Sequence, residues 1–161
     1  MTFIFLDTET TGLDVEKHEV WEIAYAIDDG PIKTAFVPHY FEDPDPKALE
    51  INGYYDRIGI PDTGFEAVLR EEARGHYLVG SNPAFDQRFL VKRWGERPWE
   101  YRMIDIATYA MPYFGLVVPE GLAFITQELE IESGDHTAAK DVEVLRNAFY
   151  KLQDLYRLEM P

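Results

Sequence analysis

FIFLDTETTGL, residues 3–13, sets four apolar residues, Phe3 to Leu6, directly against Asp7 and Glu9. In an extended chain, side chains i and i+2 point the same way, so these two carboxylates stand side by side. Adjacent carboxylates raise each other's pKa, and a divalent cation bound between them removes that penalty. A plainer reading also fits, in which the strand stops and a polar turn comes after it. Choosing between the two requires further oxygen donors elsewhere in the chain.

The composition supports a folded globule. The 161 residues are 46% hydrophobic and 14% aromatic, enough for a sizeable core in one domain spanning 1–161. No apolar run approaches the ~20 residues of a membrane span, and no basic stretch followed by an apolar one opens the chain. Cysteine is absent, which excludes disulfides and thiolate metal sites and makes a reducing cytoplasm the natural compartment. The net charge of −15 argues against gripping nucleic acid by bulk electrostatics. That charge is uneven: residues 1–50 carry −9, residues 51–100 carry −1 and residues 101–161 carry −5. Arg88, Lys92, Arg93 and Arg97 crowd into the nearly neutral middle third.

Residues 2–7 read as a buried strand. VWEIAYAI (20–27) and IKTAFV (32–37) form a hairpin through Asp28-Asp29-Gly30-Pro31. Next comes a proline-rich loop with a short helix near 46–50. The spacing of Phe65, Val68, Leu69 and Ala73 predicts a helix over 62–74, capped by Gly75. HYLVGSN (76–82) is a short strand, and Asn82-Pro83 opens a helix to about Trp94 with asparagine as its cap. Residues 104–114 and 121–130 are further helices. In the last helix Val142, Leu145, Phe149, Leu152 and Tyr156 line one face at 100° per residue. Asp141 falls on the shoulder of that apolar face, away from the polar side. The pattern is mixed α/β.

Three segments then stand together: Asp7 and Glu9 at the end of the first strand, Asp86 in NPAFDQRFL, and His136 with Asp141 in HTAAKD. Each has a bland alternative, an acid in a helical first turn or a surface histidine. As a set, four carboxylates and one imidazole offer hard oxygen ligands for Mg²⁺ or Mn²⁺ beside a titratable base. If His136 continued the helix it would lie 140° around the axis from Asp141 and could not share its site. It is therefore expected in the turn made by Ser133-Gly134-Asp135, with Thr137 as the capping residue.

FLDTETTGL, NPAFD and HTAAKD resemble, in order, the three motifs of the DEDDh (DnaQ-like) 3′→5′ exonucleases. INGYY (51–55) is similar to a short segment those proteins carry between the first two motifs, although Asn52 stands where they often have histidine. The histidine lies five residues before the last aspartate, as in the histidine subgroup; Thr137 occupies the tyrosine position of the other subgroup. The resemblance runs from residue 3 to about 150. It implies a ribonuclease-H-like fold, a mixed five-stranded sheet with an antiparallel hairpin and parallel strands flanked by helices.

It also implies roles. Asp7 bridges two Mg²⁺ (or Mn²⁺) ions, Glu9 and Asp141 hold the first, Asp86 supports the second, and His136 takes a proton from the attacking water. The ions of such a pair lie about 3.5–4 Å apart, and imidazole is well matched to proton transfer near neutrality. Thr10, Thr11, Gly12 and Leu13 occupy the family's contact region for the terminal nucleotide. Phe85, beside Asp86, is a candidate stacking aromatic; for Leu13 and Phe85 a place in the ordinary core is the alternative. The expected partners are 3′ ends of single-stranded DNA or RNA, held by modest and salt-sensitive binding. Arg88, Lys92 and Arg93 are candidate phosphate contacts, with a solvated helix face the expectation for two of the three, and Trp94, Trp99 and Tyr101 belong to core or interface. The chain ends soon after its last helix, so a freestanding nuclease is expected. The alternative is a non-catalytic ribonuclease-H-like binding module; such modules usually lose ligands, and all five positions are filled here. A carboxylate-rich phosphatase or calcium site lacks its aspartyl nucleophile motif or EF-hand loop.

Overall fold

The computed structural model describes residues 2–159. Twelve elements succeed one another: β1 Phe3–Thr10, β2 Val20–Ile27, β3 Lys33–Phe36, α1 Pro46–Ile51, α2 Tyr54–Arg57, α3 Phe65–Glu72, β4 Tyr77–Gly80, α4 Pro83–Trp94, β5 Met103–Asp105, α5 Ile106–Phe114, α6 Leu122–Glu128 and α7 Ala138–Glu159. The strands form one sheet in the order β3-β2-β1-β4-β5. β1 and β3 run antiparallel to β2, whereas β4 runs parallel to β1 and β5 parallel to β4. This is the mixed five-stranded architecture that the resemblance implied.

Alternation along β1 divides the core. Ile4 and Leu6 point into a cluster with Leu69 of α3 and Phe89 and Leu90 of α4. Phe5 points the other way, against Val142, Leu145 and Phe149 of α7. The same period of two carries on into the polar end of the strand. Asp7 and Glu9 continue the Phe5 face toward α7, and Thr8 continues the Leu6 face toward α4. The apolar line of α7 is buried as its spacing predicts, with Val142, Leu145, Phe149 and Leu152 all at 1% exposure or less.

Several local expectations need correction. Asp105, placed by the sequence inside a helix from 104, ends the three-residue strand β5 and caps α5, its carboxylate accepting from the Ala107 N–H at 3.2 Å. Asn82 occupies the cap position of α4 but sits in the left-handed region (φ 59°) with no side-chain cap bond; its own N–H donates to Asp105 at 3.2 Å. The helix expected over 62–74 is confined to Phe65–Glu72, because Asp62 accepts from the Gly64 and Phe65 N–H groups and turns the chain just before it. Trp99 is core and Trp94 packs against it, while Tyr101 is exposed.

Candidate active site

β1 extends past β4, which pairs only with Phe3, Ile4 and Phe5. Its far end therefore has free backbone groups on that side. Asp86, one turn into α4, takes the Thr8 N–H at 3.0 Å and the Thr8 hydroxyl at 2.7 Å, both on Oδ1. α4 is thereby pinned to the strand end. On the opposite face, Asp7, Glu9 and Asp141 each present a carboxylate oxygen, and these oxygens lie within 4.8 Å of one another. Three of the four acids singled out in the sequence thus converge. Asp86 adjoins them but approaches from the α4 side, with one oxygen committed to Thr8.

The electrostatics are severe. Burial, then the charges of Asp86, Glu9, Asp141 and Glu22, push the Asp7 carboxyl well above its usual range. Burial, with Asp141 and Glu22, pushes Glu9 up to about 8. Asp86 is pushed up to about 7 by burial, against the pull of its Thr8 bonds. Asp141 is raised by burial, against the opposing influence of His136 and Arg57. Close-set, partly buried oxygen donors that resist ionising alone are the donor chemistry that suits a hard divalent cation, and Asp7, Glu9 and Asp141 fit one.

His136 lies outside the helix, as the angular argument requires. It takes a left-handed conformation with φ 61°, which costs a non-glycine residue about 1–2 kcal/mol and persists where neighbours enforce it. Thr137 caps α7: its hydroxyl accepts the Lys140 N–H at 3.2 Å and donates to Asp135 at 2.7 Å. His136 and Asp141 line one pocket of about 460 Å³ with Asp7, Ser81, Ser133 and Gly134. Gly134 backs directly onto Asp141, and a Cβ built there would overlap Oδ1.

The residues after Glu9 are built into the loop that they form. Thr10 and Thr11 are buried. The Thr10 hydroxyl donates to the Gly12 carbonyl at 2.8 Å, and the Thr11 hydroxyl accepts the Glu19 N–H at 3.0 Å. The His18 ring lies against Gly12 where a side chain would otherwise go. Leu13, by contrast, is 73% exposed. Phe85 is half-buried, its ring 4.9 Å from that of Phe89. Two of the candidate phosphate contacts are already engaged. Arg93 pairs with Glu66 at 2.5 Å, and Lys92 donates to the Val15 carbonyl at 2.5 Å. Arg88 is exposed.

Sequence reasoning missed two neighbours. Glu22 of β2 stands opposite Glu9 in the register and is nearly buried, and Arg57 of α2 is paired with it. Glu22 left one legible signal, a lone charge inside the otherwise apolar VWEIAYAI. Arg57 left none, since its links to Glu22 and to the His136 carbonyl span 35 and 79 residues.

Residues 4–149 match the family model described as Exonuclease, of RNase T type. A search of curated protein sequences returned no match. Among solved structures, product-bound exonuclease I is similar at 21% identity and TM-score 0.76, covering 98% of this chain and 44% of that one. A zinc-ion-bound complex of E. coli exonuclease I with single-stranded DNA gives 22% identity and TM-score 0.76, over 98% and 41%. A moderately thermophilic exonuclease I from Methylocaldum szegediense gives 20% identity and TM-score 0.74, over 98% and 41%. The chain spans about two fifths of the length of these proteins, and the likeness is one of fold.

Proposed function

The chain belongs to the RNase T-type Exonuclease family, and from that premise we propose that it is a metal-dependent nuclease removing nucleotides from the 3′ ends of single-stranded DNA or RNA. The observation that carries the proposal is the meeting of Asp7, Glu9 and Asp141 within 4.8 Å, in a pocket that His136 also lines. The solved complexes of E. coli exonuclease I with single-stranded DNA oligonucleotides support the substrate class.

In this reading Asp7, Glu9 and Asp141 would hold divalent cations, Mg²⁺ or Mn²⁺, and Asp86 would support a second ion. Bound cations supply charge stabilisation for the entering and leaving oxygens of the scissile phosphate. The chain's own residues do the rest. His136 accepts the proton of the attacking water at its imidazole, held outside the helix on the pocket rim. Thr10 to Gly12 shape the loop that presents Leu13, an exposed apolar wedge for the terminal base, and Phe85 offers a second face for stacking. With Arg93 and Lys92 engaged internally, few basic side chains remain for backbone phosphates, and affinity rests largely on the cations.

The test uses single-stranded DNA and RNA labelled at the 5′ end, incubated with Mg²⁺, Mn²⁺ or EDTA. The expected result is a metal-dependent ladder of labelled products shortening one nucleotide at a time. Immediate release of labelled mononucleotide would reverse the polarity. A full-length strand under every metal, together with a bound complex, would instead favour the non-catalytic binding module.

A further inference from the structure

We infer that Arg57 is the positioning residue of the site, the tether that holds the His136 segment in place over the acidic cluster. Its kinetic consequences rest on the nuclease reading; the tether itself does not.

The geometry begins in the sheet. β1 and β2 pair regularly to Glu9↔Glu22, after which Thr10 faces Val20, so Trp21 is an extra residue in β2. Successive strand residues ordinarily point to opposite faces, and a bulge of this kind relaxes that rule. Trp21 and Glu22 accordingly serve one guanidinium. Arg57 lies over the Trp21 ring at 5.2 Å and pairs with the Glu22 carboxylate. The Glu22 side chain is 6% exposed, so its charge requires a partner, and Arg57 supplies it.

Having been fixed from two sides, the guanidinium directs its remaining hydrogens to backbone. Nη1 donates to the Asn52 carbonyl at 2.6 Å and to the His136 carbonyl at 3.0 Å. The Glu22 carboxylate that it pairs with also accepts the Ala138 N–H at 3.4 Å, at the first turn of α7. One planar group therefore joins β2, the α1–α2 turn and the segment before α7. That segment has little other anchorage to the sheet. The Thr137–Asp135 bonds are internal to it, and the Lys140–Glu132 pair ties it only to its own helix. The left-handed conformation of His136 needs an external constraint, and its carbonyl receives one from Arg57. A lysine could keep the charge but not the fork that reaches three acceptors.

The tether is tested in the metal-free protein with ¹³C-labelled histidine, whose four imidazoles, His18, His39, His76 and His136, give separate Cε1–H signals. Two variants are compared with wild type. Arg57→Met with Glu22→Gln removes the guanidinium without stranding a buried charge, and Arg57→Lys keeps the charge alone. The expected result is a His136 signal displaced from its wild-type position in both, with His18 and His76 unmoved. Should the double variant fail to fold, Arg57→Lys carries the same comparison. An unmoved His136 signal, or wild-type behaviour in Arg57→Lys, overturns the tether.

Kinetics on single-stranded DNA with Mn²⁺ give the second readout. The double variant should lose about 10–100-fold in kcat with KM changed less than about threefold, and should add little loss on a His136→Ala background. Full multiplicative losses on that background would overturn the role. A wild-type protein that shortens no strand under any metal would remove the nuclease reading and leave the histidine signals to judge the tether.

Discussion

Asp7 and Glu9 occupy alternate positions of one strand, and nothing about either residue alone marks it as special. Their character comes from Asp141, which α7 brings across the sheet, and from Glu22, which β2 sets opposite. Replacing Asp7 by Asn should abolish at least about a thousandfold of turnover, since bound cations contribute several kcal/mol of charge stabilisation. The same change should raise the thermal midpoint in EDTA at pH 8, because it removes a carboxyl whose ionisation burial and its acidic neighbours oppose. An unchanged rate would remove Asp7 from the site. Gly134 allows an equally sharp test. Its missing Cβ leaves room for the Asp141 carboxylate, so Gly134→Ala should displace that oxygen and lower activity by about a hundredfold with the fold intact by circular dichroism. The placement of Asp7, Glu9 and Asp141 on one side of the sheet was legible from alternation and helical phase. That of Gly134 was not, because a close approach leaves no trace in local sequence.

Helix α7 shows how a single turn decides where an imidazole stands. Were the helix to begin two residues earlier, His136 would face away from Asp141. The Thr137 cap stops it, with its hydroxyl on the Lys140 N–H. Thr137→Ala should cost about 1 kcal/mol in urea unfolding, and Thr137→Ser should recover most of it. The cap and the turn before it were readable from Ser133-Gly134-Asp135 and the helical phase of Asp141. β5 was not readable. Its three residues carry no alternation long enough to register and run without a break into α5, so the apolar spacing of the helix masks them. Asn82 shows the opposite error. A residue type suited to capping occupies the cap position, yet its backbone is left-handed, and its bond goes to Asp105 instead. α4 is held by the anchoring of Asp86 to Thr8, a contact between residues 78 apart that no local pattern announces.

At the level of the whole molecule, the acidic centre couples stability to pH. Glu9 and Asp86 are raised by burial to about 8 and about 7 from ordinary values of 4.5 and 3.8. Between those limits the folded chain retains protons that the unfolded chain releases. Their contribution is full below the unfolded values and is lost as pH rises through about 7 and 8. Glu72, held low by hydrogen bonds from Lys33 and Tyr25, acts in the opposite sense at acid pH. The metal-free protein should therefore lose thermal midpoint between pH 6 and pH 8.5, measured by calorimetry in EDTA. Saturating Mg²⁺ or Mn²⁺ should flatten or reverse that decline, because cations replace protons on the same oxygens. A decline unaffected by metal would place the titrating groups elsewhere. The charge of −15 was visible from composition, but that Glu22 joins the other acids at one end of β1 required the fold. The sheet's margins have a consequence of another kind. β3 is four residues long and bracketed by Pro31 and Pro38, and β5 has three residues before its chain turns into helix. Neither border offers an incoming chain a long ladder of unpaired amides, so an aromatic-rich protein is shielded from self-templated fibre growth by the brevity of its outermost strands.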